Sequence, residues 1–197
     1  MGSLQPVKTT VNGGIPVFQT RLESAIGGFV LDDSALTAAD TVKAGQPMGY
    51  DEATRVAKVV KLAKVYENAT NVATVIKVYK GHHFKVGDYI AFIVGDAAYA
   101  ITVIDTSNAA YDSLTVGTTL GDALTADTSI LFQSSATGAA AAAYSVTAKG
   151  LLYEDTDVAD GVSVSVVIRG TVYERRVPAA TAAVKTALPH IIYSLSY

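Results

Sequence analysis

The 197 residues contain no cysteine. Disulfides, thiolate chemistry and Cys-ligated zinc are therefore excluded. Tryptophan is absent too, and there are only three histidines and two methionines. Charge is scarce: 17% of residues are Asp, Glu, Lys or Arg, against roughly 25% in an ordinary soluble domain. The net charge of −3, with no clustered Lys and Arg, leaves no footprint for nucleic acid. No run approaches about 18 uninterrupted apolar residues, so no membrane-spanning helix is expected. The opening Met1-Gly2-Ser3-Leu4-Gln5-Pro6-Val7-Lys8 has no basic head followed by an apolar stretch. It predicts no secretory signal and synthesis in a cytoplasm. Met1-Gly2-Ser3 reads in part as a cloning remnant.

What is present is small or β-branched. Half the residues are hydrophobic, with sixteen glycines, eleven tyrosines and five phenylalanines. That is enough apolar area for a true core, under a surface with little charge to keep copies apart.

The pattern along the chain predicts a mainly β protein with a few short helices. Residues 1–40 read as an irregular N-terminal arm, punctuated by Asn12-Gly13-Gly14 and Gly27-Gly28, with a short helix allowed over Leu31 to Asp40. Val59, Lys61, Ala63 and Val65 share one parity, a period-2 strand signal within Ala57 to Tyr66. Residues 72–133 carry the clearest strands: Val72 to Tyr79, Phe84 to Phe92, Tyr99 to Asp105, Ser113 to Gly117 and Ser129 to Phe132. Short strands at this spacing, bounded by Gly, Asp and Asn, suggest a small barrel or sandwich. Ser134 to Ala143 is a low-complexity connector, either a tether or a helical turn. Gly150 to Asp155, Val162 to Glu174 and Ile191 to Leu195 resume the β pattern, with a brief helix between Ala179 and Ala187.

Candidate chemistry is thin. His82 and His83 are adjacent, with Asp88 nearby, and could be imagined as a metal site. On a strand, however, neighbouring side chains face opposite ways. His190 stands alone after Pro189. No Gly-x-Ser-x-Gly elbow or phosphate-binding glycine loop is present. Asp32-Asp33, Asp51-Glu52 and Glu154-Asp155 are adjacent acids, which mark solvated turns more often than a pair converging across a cleft. Asp105 and Asp112 flank an oxygen-rich loop that lacks calcium-binding spacing. Val86-Gly87-Asp88 reads as a turn in which Gly permits the bend and Asp bonds local amides. The expectation is a protein with no catalytic residues, no metal and no cofactor. The tyrosine excess suits a binding surface or a subunit interface.

Two segments resemble the capsid decoration and head-fibre proteins of tailed bacteriophages. The first is Val42-Lys43-Ala44-Gly45-Gln46-Pro47-Met48-Gly49-Tyr50-Asp51. The second is Ala148-Lys149-Gly150-Leu151-Leu152-Tyr153-Glu154-Asp155, continued by Asp160-Gly161 and Val162 to Gly170. The stretch between them, with Phe84 to Asp88, Ile101 to Asp105 and Tyr111 to Val116, is similar to a β-module inserted in head-fibre versions.

The resemblance implies a decoration-protein-like β domain from 41–66 and 144–197, interrupted by an inserted module at 67–143 that carries the Ala-rich connector. It further implies a homotrimer on the outer surface of the virion, bound to the major capsid protein and anchored by the arm at 1–40. No nucleic-acid or membrane partner is implied. The inserted module could contact a host surface or glycan. The competing reading is a surface adhesin or carbohydrate-binding β-domain. On this organisation, deleting residues 1–30 should leave the β domain folded, and the insert should be dispensable for folding of the rest.

Overall fold

The computed structural model describes residues 16–196. Asn12-Gly13-Gly14, Met1-Gly2-Ser3 and the first fifteen residues of the expected arm lie outside the described residues. The early strands are β1 (Phe18–Ser24), β2 (Phe29–Leu31), β3 (Thr41–Val42), β4 (Pro47–Asp51) and β5 (Val56–Val59). The middle of the chain gives β6 (Leu62–Lys64), β7 (Val75–Tyr79), β8 (Tyr89–Ala91), β9 (Ala98–Asp105), β10 (Tyr111–Val116) and β11 (Ile130–Ser134). The last third gives β12 (Gly150–Leu152), β13 (Thr156–Asp157), β14 (Ser163–Val164), β15 (Val166–Tyr173) and β16 (Ile191–Ser194). One short helix, α1 (Ala182–Ala187), precedes β16, and its first turn is capped by the Thr181 hydroxyl accepting from the Val184 amide. The protein is mainly β, as the sequence predicts.

These strands form two principal sheets. The large sheet runs β1-β15-β12-β4-β5-β2-β14, with β16 beside β15. The second runs β6-β11-β8-β9-β10-β7, and β3 and β13 make a separate pair. The second sheet curls until its ends touch: Val65 bridges to Val78, and the Tyr66 amide donates to the Lys77 carbonyl at 2.9 Å. Inside the curl lie Ile76, Val78, Ile90, Ile101, Leu114 and Leu131, all nearly inaccessible. They are alternate residues of their strands, as a period-2 sequence predicts; the other face is open to solvent along much of β7 and β10, while on β8 and β11 it buries Ala91 and Phe132.

The curled sheet is nested in sequence between β5 and β12, yet it shares a core with the large sheet. One cluster joins Leu62, Ala91, Ala98, Phe132 and Ala142 to Leu151, Val167, Val172 and Ile191. The expectation that the insert is dispensable is therefore revised, because excising it would strip one wall from this cluster. The Ala-rich connector is neither tether nor helical turn. Ser135 donates its amide to Ala143 O at 2.8 Å, Gly138 bonds Ala98 in both directions at 2.9 Å, and Ala142 is buried.

The early residues also differ from the expected arm. β1 lies along β15, and β2 is parallel to β5. Phe29 and Leu31 are each 2% exposed in a second core with Met48, Leu152 and Val166. No helix forms over Leu31 to Asp40, which is the end of β2 followed by turns. Deleting residues 1–30 would remove a buried phenylalanine as well as an edge strand, so that truncation would not leave the domain intact.

Candidate functional site

The adjacent histidines have largely buried side chains, 5% exposed at His82 and 3% at His83. They lie after β7, and they diverge as neighbours in extended chain must. His83 Nδ1 meets Asp40 Oδ2 at 3.0 Å, and His82 Nε2 lies 3.3 Å from Asp112 Oδ2. His83 thus ties the curled sheet to the turn before β3, while His82 faces β10, where Lys80 also reaches Asp112 at 2.6 Å. His82 Nδ1 accepts from the Phe84 amide, which puts the neutral ring's proton on Nε2; that nitrogen is buried and makes no well-aligned hydrogen bond, although Asp112 Oδ2 lies 3.3 Å away. Asp88 joins neither histidine. Among the described residues, no set of three or more His, Asp or Glu side chains gathers as metal ligands.

Burial dominates both rings and lowers each pKa from the ordinary 6.5; Asp112 and Asp40 oppose this only in part. The fold therefore prefers neutral rings, whereas the unfolded chain takes up protons at the ordinary value. Below pH 6.5 the unfolded state binds more protons, so stability falls with falling pH and is level well above that value. Urea midpoints measured from pH 8 to pH 5 are expected to be flat and then decline. A His82→Gln/His83→Gln variant should lose that decline, and a wild-type midpoint that rises toward pH 5 would refute the assignment.

Asp88 does what its turn motif predicts and something further. Its Oδ2 accepts from the Lys85 amide at 2.8 Å across Gly87. The same oxygen also takes Lys61 Nζ at 2.7 Å, and Oδ1 takes Gln133 Nε2 at 2.9 Å. Lys61 is 2% exposed. It sits where the chain leaves β5 for β6, so the expected continuous strand over Ala57 to Tyr66 is two strands belonging to different sheets. At that junction Val60 and Lys61 are both buried.

The other acids serve local turns. Asp32 accepts from the Ser34 hydroxyl and amide, Asp51 from the Ala53 amide at 2.8 Å, and Asp105 from the Ser107 amide at 2.9 Å. Those donors hold all three carboxyls below the usual carboxylate value. Asp155 accepts from the Ala44 amide and Lys43, joining the turn before β4 to the turn after β12. Asp112 pairs with Lys80 at 2.6 Å, while Asp105 accepts from the Ser107 amide. His190 is exposed at the entry to β16.

Three tyrosines that sequence reasoning counted but did not group come together on the curled sheet. Tyr66 lies 5.0 Å from both Tyr79 and Tyr111, ring centre to ring centre, and the last two are opposed across β7 and β10. Lys77 approaches the Tyr111 ring at 5.1 Å. The Tyr79 hydroxyl donates to Asp127 Oδ1 at 2.7 Å, which raises its own pKa. Tyr79 ends an expected strand, but Tyr111 lies two residues before the expected Ser113 to Gly117; only the observed β10 (Tyr111–Val116) sets it opposite Tyr79.

The other distinctive surface is β1. Among the described residues it pairs with β15 alone, and its five central residues, Gln19 to Glu23, are exposed. Leu22 is 65% and nearby Ile26 87% exposed. No helix among the described residues is long and apolar enough to cross a membrane. No protein-family model, curated protein or solved structure matches the chain.

Proposed function

We propose that this chain is a non-enzymatic structural protein of a tailed-bacteriophage virion, a capsid decoration or head-fibre protein seated as a homotrimer on the major capsid protein. The observation that carries the reading is β1. A seven-residue strand that, among the described residues, has one open edge and most of its surface in water stands ready for an added strand or a flat partner. Its register shifts twist the edge and discourage indiscriminate pairing, which suits one specific partner over self-aggregation.

The residues behind the resemblance support it as well. β4 pairs with β12, and β12 with β15, so the two segments form one continuous sheet around the site where the insert leaves. A Cβ on Gly150 would come within 2.6 Å of Val167 O, and one on Gly170 within 2.5 Å of Thr20 O. Those motif glycines are thus required by close strand packing, the second of them against β1 itself.

The test is co-sedimentation with shells assembled from the major capsid protein of a phage whose genome is found to encode the chain. Wild type is expected to pellet with shells, and Leu22→Asp/Ile26→Asp to lose about ten-fold or more in affinity while keeping its circular dichroism and melting temperature. Equal pelleting of the variant would remove β1 from the interface; no pelleting of wild type would sink the reading. The tyrosine cluster favours a second reading, a carbohydrate-binding adhesin, which shell binding would not exclude for the curled sheet.

A further inference from the structure

A cleft of about 530 Å³ opens where the curled sheet meets the large one, a volume typical of small-ligand sites. Lys43 and Arg176 line it from the large-sheet side, and Lys64, Tyr79 and Lys80 from the curled sheet. Among the described residues, every titratable side chain in its lining other than Tyr79 is lysine, arginine or histidine, and no carboxylate lines it. In a chain of net charge −3 that local excess is notable.

Arg176 makes no ion pair with a described carboxylate. One of its nitrogens donates to the Pro16 carbonyl at 2.9 Å, and its guanidinium lies 4.2 Å from the Tyr173 ring centre. The lysines do have partners: Asp155 at 2.9 Å from Lys43, Asp127 at 3.5 Å from Lys64 and Asp112 at 2.6 Å from Lys80. The first two pairs are largely exposed and contribute little in water, so a ligand can compete for those lysines. The same acids confine the positive charge. A long polyanion would run from the cleft onto Asp155 and Asp127, whereas a ligand with one charged group and an uncharged body would not. Tyr79, 36% exposed, lines the cleft beside Lys64 and brings an aromatic ring, the kind of surface against whose face the apolar side of a sugar ring rests.

We propose that this cleft binds a carboxylated saccharide, a uronic- or sialic-acid-type residue. Its carboxylate is met by the planar fork of Arg176 with Lys64, and its ring lies against Tyr79. The proposal does not rest on capsid docking.

The experiment titrates the full chain with N-acetylneuraminic acid, a glucuronic-acid disaccharide, their methyl esters and triglutamate, followed by calorimetry. Saturable binding of one of the two acids is expected. It should weaken about ten-fold or more on esterification and again in Arg176→Gln and Lys64→Gln, with Arg176→Lys retaining part of the affinity. Variant melting temperatures equal to wild type would show that the loss is not unfolding. Absence of saturation with both acids, equal binding of the esters, or tighter binding of triglutamate would overturn the proposal. Shell co-sedimentation of Arg176→Gln should match wild type, so a failure here is distinguishable from a failure of the virion reading.

Discussion

Asp88→Ala is expected to destabilise the protein by about 3–5 kcal/mol, because it strands a buried ammonium. Lys61 Nζ has Asp88 Oδ2 at 2.7 Å, and its side chain is almost wholly inside. Removing the carboxylate also orphans Gln133 Nε2 and the Lys85 amide. The penalty belongs to the unpaired charge more than to the pair itself, which gives the prediction its control. Replacing the lysine as well, in Lys61→Met/Asp88→Ala, should recover much of the loss, since an apolar side chain can fill the junction without a counter-ion. Urea unfolding of the two single variants and the double variant completes the cycle. A cost under about 1 kcal/mol for Asp88→Ala would mean that water reaches Lys61.

Excision of residues 67–143 with a short linker is expected to abolish cooperative folding. It removes Ala91, Ala98, Phe132 and Ala142 from the cluster that covers Leu151, Val167 and Val172. It also leaves β6 without β11, its hydrogen-bonded neighbour. Phe132 alone, 1% exposed and stacked on Tyr144 at 4.2 Å, should cost about 3–5 kcal/mol when truncated to Ala. That is a large part of the 5–15 kcal/mol that holds an ordinary domain together. Thermal unfolding followed by near-ultraviolet circular dichroism reads the outcome directly. An excised protein with a sharp transition near the wild-type temperature would show two independent cores.

The strands of the curled sheet were legible because their sequences obey one rule. Ile76 and Val78, Ile101, and Leu114 and Val116 point into the curl while their neighbours face out, so alternation in sequence is alternation in space. β1 was not legible for the same reason. Gln19 to Glu23 bury neither face, so no alternation exists to be read, and the strand is held by the β-branched residues of β15. The junction at Val60 and Lys61 was misread as strand interior because two sheets bury consecutive residues there. A buried lysine is visible only once Asp88, twenty-seven residues later, is beside it.

The histidine pair was partly legible. Divergence of His82 from His83 follows from backbone geometry, and so does the weakness of a shared metal site. Their partners Asp40 and Asp112 are distant in sequence, and only the tertiary arrangement pairs them. The cleft at Arg176 was not legible at all. Its cations come from four separate places in the chain, and none of them forms a basic run.

The proposal that this is a virion structural protein has its sharpest test in quantitative mass spectrometry on purified particles of any phage whose genome is found to encode it, with gold-labelled antibody against the curled sheet. The chain is expected at a fixed ratio to the major capsid protein, with label on the outer face of the head. Particles that lack the chain, or label confined to the tail, would contradict it.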